Sequence, residues 1–210
     1  MQTSAPLLDE PLPVELMNTI WADRDGVHDA LAEQDGTKAW LHAVAPRIEL
    51  IAAADLDALV AAEVDLIGER LHRLRDALRR LAAEATGDPR PAAASPVSEL
   101  DSAVAEVNQA AAAVPRWSVL TWTAGETPSR GTGTSGQVAA AAVSAIAEEA
   151  IRLFTHPDRQ RLRACLAPGC VLYFVKDHPR REWCSAGCGN RARAARHYQR
   201  HRVPGIDAKG

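Results

Sequence analysis

Hydrophobic residues recur every three or four positions over most of the first 155 residues, a pattern that is typical of helices packed on one side. The longest such segment covers residues 55–86 and predicts one amphipathic helix of roughly 45 Å. Asp55 is its predicted N-cap, and Gly87 followed by Pro89 ends it. Five arginines lie off the apolar stripe, and we expect a solvent-exposed face there rather than a site for an acidic ligand. They are Arg70, Arg73, Arg75, Arg79 and Arg80.

The other segments predict shorter helices and one small β element. The first 46 residues contain two short amphipathic pieces, Ser95 and the proline after it start a helix that runs to about Val114, and residues 137–154 are helical again. Residues 117–123 alternate in polarity, which predicts a strand. Glycines at 131, 133 and 136 have the spacing of a phosphate-binding loop, but no βαβ pattern surrounds them, so a hairpin or connecting loop is favoured. The predicted fold is mainly α with a small antiparallel β element.

Composition and charge divide the chain in two. With 47% hydrophobic and 24% charged residues it has the composition of a globular protein, and no apolar run reaches the roughly 18 residues that span a bilayer. The first residues lack the basic and apolar regions of a secretory signal, so we expect a cytoplasmic location. Residues 156–202 carry eleven Lys/Arg against three Asp/Glu, whereas residues 1–155 carry twelve against twenty-three. The basic part is expected to favour a polyanion.

The four cysteines have the spacing of a zinc site. They are Cys165, Cys170, Cys184 and Cys188, in the order C-x4-C-x13-C-x3-C. Two close pairs separated by a short segment suit tetrahedral Zn²⁺, because each pair binds the metal from one turn. Two disulfides are disfavoured in a reducing compartment, and a redox or iron–sulfur site is the other alternative. Four thiolates leave no open coordination position, so the prediction is one structural Zn²⁺.

The residues around the cysteines predict a treble-clef-like finger. The segment "VLYFVK" has strand composition, "DHPR" is a turn, and "REWC" is expected to return as the second strand of a hairpin. A helix follows from Ala186, with Cys188 in its first turn. The unit has too few apolar residues for a core of its own, so metal binding should be coupled to its folding. Residues 1–155 are expected to stay folded when this unit unfolds.

The last helix carries a row of basic residues. At 100° per residue, Arg193, Arg196 and Arg200 fall on one face with His197 beside them, where they could contact DNA phosphates or base edges. Arg180 and Arg181 of the predicted hairpin add positive charge, as do Arg159, Arg161 and Arg163. The alternative is a solvated helix face with no partner. The opposite side is predicted to hold Cys188, Ala194, Ala195 and Tyr198 together with Arg191, and we expect Asn190 and Arg191 to support the cluster through hydrogen bonds.

These residues resemble a known zinc-finger family. The stretch "RLRACLAPGCVLYFVKDHPRREWCSAGCGNRARAARHYQRHR" is similar to the CGNR zinc finger, whose name matches the tetrapeptide that begins at Cys188. The upstream segments "MNTIW", "KAWL" and "LRDALRRL" are similar to the ABATE domain that precedes this finger. The resemblance implies an ABATE-like domain over residues 1–155, a finger over 156–203 and a tail over 204–210. Family members often carry Asp-x-Ser-Arg after the hairpin aromatic, whereas this chain has Asp177-His178-Pro179-Arg180, so a phosphate-contacting serine is not expected here.

The resemblance implies a stress-related transcription regulator of bacteria and supplies no catalytic residue, so we predict that the protein is not an enzyme. Our first hypothesis is a zinc-dependent regulator that binds double-stranded DNA, with a helical domain that dimerises or binds a small effector. Asn18, Trp21 and Trp40 are the candidate effector pocket. The alternative is an interaction module whose basic finger docks an acidic protein. A homodimer is favoured because a single small finger makes few DNA contacts, and no membrane association is expected.

Overall fold

The computed structural model describes residues 5–48, 51 and 53–201. The described residues are 54% helical, and their strands form two-stranded antiparallel sheets, which confirms the predicted fold class. The helices are α1 (Leu12–Met17), α2 (Gln34–Val44), α3 (Ala53–Asp57), α4 (Ala61–Thr86), α5 (Leu100–Ala112), α6 (Val138–Thr155) and α7 (Ala186–His201). The strands are β1 (Ile20–Ala22), β2 (Val27–Asp29), β3 (Arg116–Thr121), β4 (Ser129–Thr134), β5 (Leu162–Ala164) and β6 (Tyr173–Val175). The predicted tail, 204–210, lies outside the described residues.

Helix α4 is the central element of the fold. It ends at Gly87, whose φ of 59° is the left-handed conformation that favours glycine at a helix C-terminus. It begins at Ala61, so the prediction of one continuous helix from Asp55 is wrong. Asp55 belongs to the separate short helix α3. The start of α4 is satisfied by the Glu63 carboxylate, which accepts a hydrogen bond of 3.1 Å from the backbone N–H of Val60.

The main core forms where α4 packs against α5, α6, α1 and α2, and α1 also packs against α6. The prediction of a solvent-exposed arginine face is wrong at two positions, because Arg75 is only 4% exposed and Arg79 only 1%. Both lie on the same helix stripe as the buried Leu71, and surrounding elements cover this stripe. Burial of a guanidinium is costly unless its donors are satisfied, and the terminal nitrogens of both arginines have oxygen partners. Among the described residues, Arg79 Nε has none.

Three shorter elements also differ from their predicted positions. Residues 20–29 form the β1–β2 hairpin instead of helix and loop. Helix α5 begins at Leu100, and Ser95 has a different role: its hydroxyl donates to the carbonyl of Asp76 at 2.6 Å and accepts the N–H of Val97 at 3.1 Å. The loop after α4 is therefore fastened to α4 before α5 begins.

The segment with period-two alternation forms β3, which pairs with β4 in a hairpin. Trp117 stands opposite Gly133, and a side chain at Gly133 would meet the indole Nε1 at 2.6 Å. Gly131 and Gly133 are thus strand residues, and Gly133 makes room for the Trp117 side chain, whereas a Cβ at Gly131 would meet nothing within 4 Å. Among the described residues, no helix is both long and apolar enough to span a bilayer.

The C-terminal unit contains a hairpin, but its strands differ from the predicted pair. Strand β6 pairs with β5, which precedes the first cysteine, in the register Leu162↔Val175. The segment "REWC" is irregular, so its assignment as the return strand is wrong. The first cysteine pair therefore lies in the turn of the hairpin, and the second pair follows at the start of α7.

Candidate metal centre and nucleic-acid interface

The four cysteine side chains converge on one point. All four are buried and unpaired by disulfides, and their sulfur atoms lie within 4.8 Å of one another. Cys184 Sγ is 3.8 Å from Cys170 Sγ and 3.4 Å from Cys188 Sγ. A tetrahedral Zn²⁺ with Zn–S bonds of about 2.3 Å places its sulfurs about 3.8 Å apart. The cluster therefore fits one Zn²⁺, and the all-cysteine donor set suits a structural ion.

Local hydrogen bonds hold each cysteine pair in place. In the β5–β6 turn, the N–H of Cys165 donates to the carbonyl of Leu172 at 3.0 Å, and the N–H of Cys170 donates to that of Ala167 at 2.9 Å. At the other pair, the Ser185 hydroxyl accepts the N–H of Cys188 at 3.3 Å, as an N-cap side chain does. Both pairs are thus set by short turns.

Charge around the sulfurs favours thiolates. Hydrogen bonds from the thiols of Cys170 and Cys184 lower the pKa of Cys165 to about 7. The Arg191 guanidinium donates from Nη2 to Cys188 Sγ at 3.0 Å. The amide oxygen of Asn190 accepts from Arg193 rather than facing the cluster. The same sulfur contacts raise the pKa of Cys170 and Cys184, which act as the donors to Cys165. Since zinc binds thiolates and not thiols, the Arg191 contact is the one that favours the protonation state that the metal needs.

The basic residues of α7 lie on its exposed side. Arg193, Arg196, His197 and Arg200 are all exposed. The Arg196 guanidinium lies over the Trp183 ring at 5.7 Å, and Arg200 Nε donates to the carbonyl of Arg196 at 3.3 Å. We call Arg193, Arg196, His197 and Arg200 the basic row. Tyr198 was expected beside the cluster, but it is 74% exposed, and Ala194 is exposed as well. The helix side that is buried in the finger consists of Cys188, Gly189 and Ala192.

The two hairpin arginines differ from each other. Arg180 is exposed. Arg181 is partly buried and forms an ion pair with the buried carboxylate of Glu10. It also donates to the carbonyls of Val175 at 3.1 Å and Cys184 at 3.2 Å. Arg181 therefore joins the finger to the start of the chain, and it also lines a groove that Arg196 borders.

Comparison with known families agrees with this architecture. A family model described as "Putative stress-induced transcription regulator", ABATE, matches residues 10–157, which is more than half of the chain. The chain belongs to the ABATE family. A second model, the CGNR zinc finger, matches residues 161–201 and includes all four cysteines. No curated protein matches the chain. The ABATE part and the finger are thus both shown, and neither family is described as an enzyme.

The ABATE part and the finger are bound together by buried hydrogen bonds that sequence patterns did not predict. The Asn18 side chain, 0% exposed, donates to the Tyr173 carbonyl and accepts the Tyr173 N–H, both at 2.9 Å. Arg79 donates to the carbonyls of Met17 at 2.9 Å, Ala93 at 3.0 Å and Val171 at 3.4 Å. The first and last of these carbonyls belong to different parts of the chain, so Arg79 also bridges them.

Arg90 makes the most direct contact with the metal-binding turn. Its Nη1 donates to the carbonyls of Cys165 at 2.9 Å, Cys170 at 3.1 Å and Leu172 at 3.1 Å. Asp88 pairs with Arg90 at 2.6 Å and accepts the Tyr173 hydroxyl at 2.7 Å. Burial and the neighbouring carboxylate raise the pKa of Tyr173 to about 12, so its hydroxyl stays a donor. We call the contacts of Asn18, Arg79 and Arg90 with the finger backbone the clasp.

The three residues of the candidate effector pocket lie in three different surroundings. Asn18 is used by the clasp, and Trp40 is buried in the main core. Trp21 packs against the cysteine cluster and stacks on His28 with 4.4 Å between ring centroids. Each side chain thus has a packing role, and a pocket at these residues stays a prediction.

Proposed function

We propose that this ABATE-family protein is a zinc-dependent regulator that binds double-stranded DNA in the cytoplasm through the basic row. The observation that carries the proposal is the exposure of α7 beyond the cysteine cluster. Its buried residues all lie at or before Ala192. The rest of the helix, from Arg193 to His201, extends from the finger and carries no acidic residue. A polar helix of this kind gains little from its own fold and is typical of a surface that binds a partner.

The spacing of the row suits nucleic acid. Arg193, Arg196 and Arg200 are three and four residues apart, so their side chains share one face over about 10 Å of helix. A B-DNA major groove admits one α-helix, and arginine binds both phosphates and guanine edges. The proposed role of the metal is to fix the start of α7 so that the row has one orientation.

A groove beside the row supports the same proposal. Arg163, Lys176 and Arg196 line a cleft of about 270 Å³ between the β5–β6 hairpin and α7. These cations extend the positive surface from α7 onto the β5–β6 hairpin. Arg180 remains a proposed phosphate contact because it is exposed, whereas the ion pair of Arg181 with Glu10 argues for a structural role.

The test is selection of zinc-loaded protein on a random double-stranded DNA library at about 0.15 M ionic strength, where weak nonspecific attraction is screened. We expect one motif to be enriched and to be lost with Arg193→Ala or Arg196→Ala. Each substitution should also reduce the salt dependence of binding by about one counterion. Arg24→Ala, an exposed arginine between β1 and β2, is the matched control and should change nothing. Failure to enrich any motif would refute sequence-specific DNA binding.

A second candidate function, docking of an acidic protein, is favoured by one observation. Leu166 is an exposed apolar residue in the first cysteine turn and lines the same groove as Trp183 and Arg196. A mixed apolar and basic groove suits an acidic peptide with a hydrophobic anchor. A competition experiment separates the two functions. Double-stranded DNA should displace a bound acidic protein only if the DNA and the protein both bind the basic row. The ABATE part is proposed to dimerise or to bind an effector, which light scattering and ligand titration would each test.

A further inference from the structure

A second positively charged site lies in the ABATE part, remote in sequence from the finger. The β3–β4 hairpin and α6 enclose a cleft of about 500 Å³, which is in the size range of small-molecule sites. Its walls carry three guanidinium groups and two hydroxyls together with one carboxylate. The lining residues are Arg116, Trp117, Ser118, Arg130, Thr132, Glu148 and Arg152.

The strand register explains why these groups converge. Ser118 stands opposite Thr132, and Arg130 is the next residue of β4 on the same face. Arg130 Nε donates to the Ser118 hydroxyl at 3.1 Å, which orients the guanidinium along the face of the sheet. Helix α6 supplies Arg152 one turn after Glu148, so both helix side chains face the same cleft.

The charges in the cleft do not cancel. Arg116 pairs with Glu148, with Nε 3.2 Å from Oε1, and this hydrogen bond lowers the pKa of Glu148. That pair is therefore ionised and internally neutral. Among the residues that the structure describes, neither Arg130 nor Arg152 has a carboxylate within ion-pair distance. Glu148 also interacts electrostatically with Arg152, but three guanidinium groups against one carboxylate leave the cleft with a net positive charge. This arrangement favours an anion with several acceptor oxygens.

The lining of the cleft is almost entirely polar. Trp117 stands opposite Gly133 in the strand register, and its indole packs over that glycine. Because neighbouring residues of a strand point to opposite faces, the ring lies on the face away from Ser118 and Arg130. The cleft therefore suits a small anion that is held by charge and hydrogen bonds.

We propose that this cleft binds a small anion, with a carboxylate or phosphate group held by Arg130 and Arg152. The Ser118 hydroxyl, which accepts from Arg130, lines the same cleft. The site differs from the effector pocket expected at Asn18, Trp21 and Trp40. It also goes beyond the proposed DNA binding, because the ligand and the basic row occupy separate parts of the chain.

Isothermal titration of the full zinc-loaded protein tests the site. The probes are phenyl phosphate and phthalate, which represent the two anion classes, and benzyl alcohol as the uncharged control. We expect at least one anion to bind at or below millimolar concentration and the alcohol not to bind. Loss of a charge-assisted hydrogen bond costs about a factor of ten or more in affinity. Arg130→Gln and Arg152→Gln should therefore each weaken binding about tenfold, with thermal melting used to verify the fold.

The control must exclude anion binding by the finger. Arg193→Gln combined with Arg196→Gln removes two arginines of the basic row and should leave the affinity for the probe unchanged. Loss of probe binding in that variant would overturn the proposal. It would also be overturned if Arg130→Gln and Arg152→Gln bound the probe as tightly as the unchanged protein does. Absence of binding by both anions at millimolar concentration would overturn it as well. Each result is independent of DNA binding, which the library selection measures separately.

Discussion

Replacement of Asn18 tests whether the ABATE part and the finger fold as one unit. The Asn18 amide makes two hydrogen bonds with Tyr173, a residue 155 positions later in the chain, and it does so without access to water. Asn18→Ala leaves a buried N–H and a buried carbonyl without partners. Each orphaned group costs about 1–3 kcal/mol. The expected loss in the free energy of unfolding is therefore about 2–6 kcal/mol, with the lower end applying if water enters the space.

The same change should weaken zinc retention. Tyr173 begins β6, three residues after Cys170, so its backbone helps to position the first cysteine turn. We expect a chelator to remove zinc faster from Asn18→Ala than from the unchanged protein. Urea unfolding followed by circular dichroism gives the free energy, and the rate of zinc transfer to a colorimetric chelator gives the second measurement. Both effects should appear together because one contact serves both parts.

Asn108→Ala is the matched control, since Asn108 is an exposed asparagine on α5. A surface change of this kind is expected to stay within about 0.5 kcal/mol. If Asn18→Ala unfolds like Asn108→Ala, the contact with Tyr173 contributes nothing and the reasoning fails. If it unfolds in two steps with an unchanged first transition, the finger is independent of the ABATE part. The latter result would agree with the expectation that residues 1–155 stay folded without the finger.

Three further changes test other parts of the structure. Arg90→Met removes the donor to three carbonyls around the cysteine turn, and we expect a loss of about 3 kcal/mol or more with faster zinc transfer; an unchanged transfer rate would contradict the clasp. Gly36→Ala should destabilise α2, because the new methyl meets a backbone carbonyl of the preceding loop, although alanine is the better helix former by about 1 kcal/mol. Gly68→Ala, where the methyl meets a threonine hydroxyl at 3.5 Å, should be neutral or stabilising, and equal melting temperatures for the two variants would refute this steric argument. Burial raises the pKa of Asp29, but the hydrogen bond and charge of Arg75 outweigh it, so the pKa of Asp29 lies below its ordinary value. A lowered pKa gives stability that is present above about pH 4 and is lost as the pH falls through the folded-state value. The stability difference between the unchanged protein and Asp29→Asn should therefore be constant near neutral pH and shrink in acid, and urea titrations that give a constant difference down to about pH 2 would exclude the role of this pair.

The metal site could be predicted because its determinants are local. Each cysteine pair lies within one turn, so the spacing in the sequence already limits the distance between the sulfurs. The hairpin around the first pair was harder to predict. Its strands have three residues each, too few to display a period, and the more hydrophobic "VLYFVK" was assigned correctly while its partner was not. The pairing of Leu162 with Val175 depends on the closure of the turn by the cysteines. The sequence of either strand alone does not indicate this closure.

The buried arginines could not be predicted from periodicity. A charged residue on a helix is normally solvated, so a pattern of polar positions at Arg75 and Arg79 indicates a surface. What reverses this expectation is the set of oxygen partners that distant segments provide, including the carbonyls of Met17, Ala93 and Val171 for Arg79. Such partners exist only after the chain has folded. The same reasoning applies to Arg90, whose loop position gave no sign of contact with the cysteine turn.

The clasp also bears on how the basic row is oriented. Asn18, Arg79 and Arg90 bind backbone groups of the finger rather than its side chains, so their contacts depend on the path of the chain around the cysteines. Helix α7 starts from that same cluster at Cys188, and one Zn²⁺ would hold both cysteine pairs together. The direction of the helix relative to α4 is then determined by the metal and the clasp jointly. If α7 binds DNA, a change that loosens the clasp should weaken binding without removing any residue of the row, and Asn18→Ala in the library selection would reveal this as reduced enrichment of the same motif.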